Sequence, residues 1–235
     1  MEIIKLSSRL QAIANLVPLG AKVADIGTDH GYIPVWLAQT GVAEKLAAAD
    51  INKGPLEHAK QTATEYGVFD MIHFELCCGL SFCSSSEYDT VIIAGMGGEL
   101  IASILEAAPW TKQGTRLILQ PNSRIHILTA WLIENGYMFE HTQLVKDAGK
   151  IYQILVVRGG ESTPITKESE RLVHDLYFIN RDPLLKEYLD HLLSRYKAAE
   201  RGMLLGKKDS PDLERTQTLI RDLEHMRKEV ATWQL

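Results

Sequence analysis

Short apolar runs alternate with amphipathic stretches through the first two-thirds of the chain. The runs predict strands at Lys22–Ile26, Leu46–Asp50, Met71–Leu76, Thr90–Ala94 and Thr115–Gln120. The stretches between them predict helices at Tyr32–Thr40, Pro55–Tyr66, Gly98–Ala107 and Ile125–Asn135. Strands that alternate with helices are typical of a parallel sheet covered by helices on its faces. The pattern therefore predicts an α/β fold.

A hairpin is predicted after the last of these helices. Its arms are Tyr137–Lys146 and Ile151–Arg158, joined by the turn Asp147-Ala148-Gly149-Lys150. Ser123 is a candidate N-cap for the preceding helix, and Gly136 is a candidate C-terminal stop. Near the N-terminus, Ser8 and Gln11 fit a capping box that would begin a short helix. Five parallel strands and a terminal antiparallel hairpin then form one domain.

The periodicity changes beyond Gly160. The segment Gly159–Pro164 has the composition of a linker, and two helical seams follow it. The seams are Leu185, Leu189, Leu192, Tyr196, Ala199 and Met203, and then Leu219, Leu223, Met226, Val230 and Trp233. Residues 206–211 join them, and Asp209 or Ser210 could cap the second helix. We predict a first domain over residues 1–160 and a helical hairpin over 161–235.

Composition narrows the possible partners. The 235 residues are 46% hydrophobic and carry a formal charge of −5, which excludes a disordered chain and a uniformly basic nucleic-acid coat. More than half of the Lys and Arg residues lie beyond Gly160, so an RNA partner would be held by a patch there. Candidate phosphate contacts are Arg181, Arg195, Arg201, Arg215, Arg221 and Arg227. The alternative is that these side chains are solvated partners of acids four residues away.

Several classes of protein are disfavoured by what the sequence lacks. No run of about 18 apolar residues predicts a membrane span, and the first residues lack a signal-peptide pattern, so we expect a cytoplasmic protein. Cys77, Cys78 and Cys83 are bunched and odd in number, which favours free thiols. The histidines show no metal-binding spacing, and we expect no metal.

The segment Asp25-Ile26-Gly27-Thr28-Asp29-His30-Gly31 follows a strand and opens a helix. A dinucleotide-binding loop has a glycine where Asp29 stands, and a carboxylate there would repel a pyrophosphate. It would favour a cation, such as the sulfonium and ammonium groups of S-adenosylmethionine. Asp50 ends the next strand, nineteen residues past Gly31, where an acid binds a ribose diol. The alternatives are that the loop is only a tight turn and that Asp50 is only a helix cap.

Other candidates lie at the ends of the later strands. Gly95 and Met96 end the fourth strand, where backbone borders the ligand crevice of such sheets, although Met96 could instead fill the core. Gln120 and Asn122 end the fifth strand, and either amide could bind a base edge, although Asn122 could instead cap the next helix. For His30, a hydrogen bond that fixes the loop is favoured over a catalytic role.

These motifs together resemble one family, the bacterial tRNA (adenine-22 N1)-methyltransferases. The resemblance is carried by Leu6-Ser7-x-Arg9-Leu10, Asp25-Ile26-Gly27-Thr28-Asp29-His30-Gly31-Tyr32-Ile33-Pro34, Ala49-Asp50-Ile51-x-x-Gly54-Pro55-Leu56, Ala94-Gly95-Met96-Gly97-Gly98 and Leu119-Gln120-Pro121-Asn122. It implies a Rossmann-like methyltransferase sheet followed by a small α-helical coiled-coil domain, with S-adenosylmethionine as cofactor and tRNA as partner.

The resemblance also implies roles for individual residues. Asp29 resembles the acidic residue to which catalysis is assigned, and Arg9, Gln120 and Asn122 would contact substrate. The implied cofactor-binding residues are Asp25, Gly27, Thr28, Asp29, Gly31, Asp50, Ile51, Cys78, Gly79, Gly95 and Met96. Cys78 departs from the pattern, because relatives usually carry an acid there as the partner of the cofactor adenine. A thiol is a weak donor and a poor acceptor, so recognition at this point must depend on backbone groups.

Alternatives to this function stay open from the sequence. The target could be another RNA base, a protein or a small molecule, and the chain could also be a non-catalytic module that binds cofactor or RNA. The fourth strand lacks the Asn/Asp-Pro-Pro-aromatic segment that resembles amine methyltransferases, which disfavours transfer to N6. The sequence leaves the oligomeric state open, a monomer included.

Overall fold

The computed structural model describes residues 2–205 and 211–234, and it divides into two compact units, Met1–Pro164 and Ile165–Leu235. The predicted boundary at Gly160 lies four residues earlier. Ser162 belongs with the first unit because its hydroxyl donates to the carbonyl of Tyr137 over 2.8 Å. The predicted capping residues Asp209 and Ser210 lie outside the described residues.

A seven-stranded sheet is the centre of the first unit within residues 2–164. Its order is β3-β2-β1-β4-β5-β7-β6, with β1 to β5 parallel and the last two strands antiparallel. The strands are β1 Ala21–Ile26, β2 Ala43–Asp50, β3 Ile72–Leu76, β4 Thr90–Gly97, β5 Arg116–Ser123, β6 Tyr137–Asp147 and β7 Lys150–Gly159. The helices are α1 Ser8–Ala14, α2 Tyr32–Thr40, α3 Lys53–Glu65, α4 Gly98–Glu106 and α5 Ile125–Glu134. The predicted α/β architecture with its terminal hairpin is confirmed.

The central strands are apolar on both faces because helices cover both sides of the sheet. Val23, Ile92 and Ile118 are fully buried on one face. Their neighbours Ala24 and Ile93 are fully buried on the other face. The carboxyl ends of β1 and β4 therefore rest on a rigid core, and the order of strands reverses between them.

Two predicted helix caps are wrong. Ser123 lies inside β5, because β4 and β5 continue to pair across an irregular register as far as Gly97 and Ser123. Arg124, at φ 56°, precedes α5 instead. Helix α1 is capped by Ser7, one residue before the predicted Ser8, and its side chain accepts from the backbone N–H of Leu10 at 3.4 Å.

The second unit consists of helices joined by short turns within residues 165–205 and 211–234. It contains α6 Glu168–Leu172, α7 Leu176–Ile179, α8 Leu185–Leu205 and α9 Pro211–Ala231, of which only the last two were predicted. Lys197 pairs with Glu224 and Arg227 with Asp190, each at 2.6 Å, and this reversed order shows that α8 and α9 are antiparallel. The predicted helical pair is confirmed. No helix of the described residues is both long and apolar enough to cross a membrane.

Candidate active site

A cavity of about 430 Å³ opens at the carboxyl ends of β1, β2, β4 and β5. It lies where the order of the strands reverses, which is the usual ligand site of an open parallel sheet. The predicted residues that line it are Arg9, Asp25, Gly27, Thr28, Asp29, Asp50, Gly95, Met96 and Asn122. The tertiary fold thus brings residues that are up to 113 positions apart in the chain to one crevice.

The loop after β1 is fixed by its own backbone. The N–H groups of Gly27 and Thr28 both donate to the carbonyl of Ala49, at 2.8 and 3.1 Å, which ties the loop to the end of β2. Gly31 has φ +70°, and a Cβ atom there would lie 2.8 Å from the Cβ of Ala59 on α3. A side chain at this position would therefore be strained by the backbone and would also collide with α3.

Asp29 lies at the turn of this loop with a positive φ of 44°. An aspartate pays a smaller cost than most residues for this conformation, since Asp and Asn are enriched there. Its side chain is 67% exposed and lines the cavity, and its Oδ2 lies 3.7 Å from Nε2 of His30. The carboxylate is thus presented to whatever occupies the crevice.

Asp25 is a second carboxyl group in the cavity, in a different environment. It is buried, and burial raises its pKa to about 7, with the Asp50 carboxylate adding to the rise and the Thr28 side chain opposing it. The Thr28 hydroxyl is close enough to lower this pKa, yet its buried Oγ1 has no partner at hydrogen-bond geometry. Near neutral pH, Asp25 is therefore partly protonated, and a bound cation would favour its ionised form.

Asp50 is the third carboxyl group and lines the cavity at the end of β2. Its Oδ1 accepts from the backbone N–H of Asn52 at 2.7 Å, so the side chain does help to begin the segment that leads into α3. Asn52, rather than Asp50, is the N-cap residue of α3, so the alternative that Asp50 is only a helix cap is wrong, and its carboxylate lines the crevice.

A hydrogen-bonded chain of side chains connects α1 to the far wall of the cavity. Arg9 Nη1 donates to Gln120 Oε1 at 2.5 Å, and Gln120 Nε2 donates to Asn122 Oδ1 at 3.0 Å. Asn122 Nδ2 then donates to the carbonyl of Gly95 at 2.8 Å. The guanidinium of Arg9 also lies 5.5 Å from the ring centre of Tyr152, at a cation–π distance.

This network changes the predicted roles of both amides. Gln120 was predicted to contact substrate, but it is fully buried, does not line the cavity and bonds through both amide atoms to Arg9 and Asn122. It therefore positions these two neighbours. Asn122 lines the cavity, as its predicted contact with substrate requires, whereas the alternative that it caps the next helix is wrong, because it lies in β5 and donates to the Gly95 carbonyl.

Other predicted residues lie outside the cavity. Gly31 precedes α2 and contacts α3. Ile51 and Cys78 are exposed, and Gly79 follows Cys78 in the chain. The backbone N–H of Cys77 donates to the carbonyl of Asp50 at 3.0 Å, which keeps this loop beside the carboxylate. Burial raises the pKa of Cys77, so its thiol stays protonated at neutral pH.

Met96 has both of the roles considered for it. Its side chain lines the cavity, and it also packs against the buried core on one face of the sheet. The Cε atom comes so close to Gly27 that a Cβ on that glycine would collide with it. Gly27 therefore leaves room for the Met96 side chain at the cavity wall.

His30, Tyr32 and His58 were not predicted as site residues. Among the described residues His30 makes no side-chain hydrogen bond, so the favoured loop-fixing role is wrong; its ring instead stacks on Tyr32 and on His58. His30 and Tyr32 follow directly after Asp29, which was an available signal. His58 lies on another helix, and only the tertiary structure brings it there. Residues 2–205 and 211–234 contain no group of three or more potential metal ligands.

Comparison with known proteins decides the family. A family profile described as a methyltransferase domain matches residues 6–155, which contain every predicted site residue. The chain is 38% identical over 162 residues to the tRNA (adenine(22)-N(1))-methyltransferase of Bacillus subtilis strain 168, covering 68% of each protein. The chain belongs to the tRNA (adenine-22 N1)-methyltransferase family.

Solved structures show that the similarity extends over nearly all of this chain. The Bacillus subtilis m1A22 tRNA methyltransferase TrmK superposes with a TM-score of 0.78 at 28% identity, covering 98% of this chain and 99% of that one. Streptococcus pneumoniae Sp1610, solved in complex with S-adenosyl-L-methionine, superposes with a TM-score of 0.78 at 29% identity, covering 92% and 100%. The helical second unit is thus part of the shared architecture.

Proposed function

We propose that this protein transfers a methyl group from S-adenosylmethionine to N1 of adenine 22 in tRNA. One observation carries the proposal: Asp25, Asp29 and Asp50 converge on a single crevice at the switch point of the sheet. Three acidic side chains disfavour a phosphate-bearing ligand and favour a cationic one with a ribose. Membership of the family supplies the reaction and the target, and tRNA as substrate supports action in the cytoplasm.

The residues of the crevice fit the cofactor. Asp25 and Asp50 line one crevice together with Gly27 and Gly95, and these carboxyl groups supply acceptors for a cation and for ribose hydroxyls. Asp50 would accept from the ribose hydroxyls, and Asp25 would face the positively charged end. The glycine backbone at Gly27 and Gly95 would allow close approach. Ile51, Cys78 and Gly79 lie beside Asp50 and would border the adenine, with backbone groups as its partners.

The chain's own part in the reaction is orientation and electrostatics. When bound, S-adenosylmethionine supplies a methyl group made electrophilic by its sulfonium. N1 of neutral adenine already has a lone pair, so no strong base is needed, and positive charge develops on the purine as the bond forms. Asp29, exposed in the same crevice, stabilises that charge or accepts a proton from N6. Arg9 and Asn122 would hold the base against this carboxylate.

The test is methyl transfer from labelled cofactor to unmodified total tRNA, followed by nucleoside analysis and mapping of the modified position. Label in 1-methyladenosine at position 22 supports the proposal. Label in another nucleoside would show that the enzyme methylates a different base of the RNA. Cofactor binding without any transfer would favour a non-catalytic binding module.

Cofactor affinity should depend on pH through Asp25. Its raised pKa of about 7 means that the empty site keeps a proton that a cationic ligand must displace at lower pH. Affinity should therefore rise from pH 5.5 to 7 and level off above that, by at most about tenfold per pH unit. Calorimetry across this range should show proton release on binding below pH 7. Asp25→Asn should flatten the profile, and an unchanged slope in that variant would assign the titration to another group.

The same shift predicts how the ligand-free protein responds to pH. Because the folded state holds a proton on Asp25 that the unfolded chain has already lost above its ordinary pKa, stability falls as pH rises from about 4 to about 7. Above that range both states are ionised and this contribution is constant.

We propose that the helical unit binds the part of the tRNA outside the crevice. Arg215 and Arg227 form ion pairs at 2.6 Å with Glu168 and Asp190, on other helices of the unit, so they stabilise its fold. The alternative that Arg215 and Arg227 pair with acids four residues away is therefore wrong for both side chains. Arg221 donates to the hydroxyl of Thr218. Arg195 likewise donates to the hydroxyl of Tyr196, at 3.2 Å, so the exposed Arg181 and Arg201 are the better candidates for phosphates.

Removing the second unit after Pro164 should separate cofactor binding from RNA binding. Residues 1–164 contain the whole sheet and every proposed cofactor residue, so this fragment should fold and bind S-adenosylmethionine. Its affinity for tRNA should be lower and should fall less steeply with salt, because fewer phosphates are contacted. Titrations of both forms at several salt concentrations measure this. Equal affinities and slopes would assign the helical unit to a protein contact instead.

A further inference from the structure

Three aromatic rings form a continuous stack at the rim of the cavity. The ring centres of His30 and Tyr32 are 5.3 Å apart with planes 14° from parallel. Those of His30 and His58 are 5.4 Å apart with planes 8° from parallel. Tyr32 and His30 line the cavity beside Asp29, whereas His58 lies on α3 and does not line it. We call these three side chains the ring stack.

The ring stack is not part of the core. Tyr32 is 41% exposed, the His30 side chain is 48% exposed, and His58 is exposed as well. A structural stack looks different in the same unit: Tyr137, stacked on Trp131 at 5.8 Å, is fully buried and its hydroxyl bonds to Thr111. Folding therefore gains little from leaving three aligned rings at the surface, and a ligand that covers them would gain more.

We propose that the ring stack binds an unpaired nucleobase of the tRNA that neighbours the target adenine. This inference rests on the proposed function. To present N1 in the crevice, the target base must leave its stack, which uncovers the face of an adjacent base. Aromatic side chains stack on such faces without regard to base identity. The target itself must lie within the crevice that Asp29 lines, where the reaction takes place.

The arrangement of the rings decides which faces are available. His30 is the ring that pairs with both of the others at near-parallel planes, so a base would stack on the exposed rings of Tyr32 or His58. The stack thus extends as a continuous series from the rim of the cavity to α3.

His58 gives the cleanest test because it is exposed and does not contact the cavity. His58→Ala should raise the KM for tRNA roughly tenfold, the effect of one lost base–aromatic stack, and leave kcat and cofactor affinity unchanged. His58→Phe keeps a stacking ring and should restore a KM near that of the wild type. His73→Ala is the matched control, since His73 is another exposed histidine, on β3, that does not line the cavity.

The outcomes separate this inference from the proposed function. An unchanged KM in His58→Ala, or a phenylalanine that fails to restore it, would overturn the stacking role while the wild type still methylates tRNA. A wild type that binds cofactor but does not methylate tRNA would refute the proposed function, and the inference with it. Melting temperatures and cofactor titrations of all variants verify that the fold and the cofactor site are intact.

Discussion

Asp29→Asn is expected to slow methyl transfer to tRNA by about one to two orders of magnitude while the melting temperature stays almost constant. Asparagine keeps the size of the side chain and tolerates the φ of 44° at this position, so the loop should keep its shape. Only the negative charge beside the crevice is lost, and with it the stabilisation of positive charge on the methylated purine. Single-turnover rates at saturating cofactor and tRNA measure the effect on the chemical step.

A matched control for Asp29 is Asp70→Asn, which removes an exposed carboxylate that does not line the cavity. It should leave the rate unchanged. Full single-turnover activity in Asp29→Asn would reduce Asp29 to a loop residue and would leave orientation as the main source of acceleration.

Asp50→Ala is expected to weaken S-adenosylmethionine binding by roughly ten- to a hundredfold, or about 1.5–3 kcal/mol, in the absence of RNA. The substitution removes a charged acceptor for the ribose hydroxyls from the end of β2. It also removes the acceptor that the Asn52 N–H has at 2.7 Å, so part of the loss comes from the loop. Calorimetry with the wild type and the variant gives the affinity ratio.

Asp50→Asn separates these two contributions. The amide keeps an oxygen for the Asn52 N–H but loses the charge, so binding should be weaker than in the wild type and stronger than in Asp50→Ala. If Asp50→Ala bound the cofactor as tightly as the wild type, the ribose role would be wrong. A wild type that binds NAD and ignores S-adenosylmethionine would end the methyltransferase interpretation.

Secondary structure was predictable where local pattern and tertiary packing agree. Helix α2 begins and ends as predicted, at Tyr32 and Thr40, because glycines at positive φ bound it on both sides. The ends of β4 and β5 were missed because strand pairing carries both chains beyond their apolar runs, to Gly97 and Ser123. Pairing between strands far apart in sequence leaves no local signal.

The candidate site shows the same division. Asp25, Asp29 and Asp50 could be found from the sequence, since their positions after two strands and in a glycine-bearing loop have a chemical meaning. The role of Gln120 could not, because an amide at a strand end looks the same whether it faces a ligand or is buried between Arg9 and Asn122.

The sequence by itself determined the α/β fold and the acidic loop, because each depends on residues close together in the chain. It also determined the family, because each motif that carries the resemblance is short and can be found without the fold. The tertiary structure alone decided which of these side chains share a cavity, why Asp25 titrates near neutral pH, and that His58 joins His30 and Tyr32. Burial and stacking arise between elements that the chain brings together only on folding, so their effects on charge and exposure have no counterpart in the linear pattern.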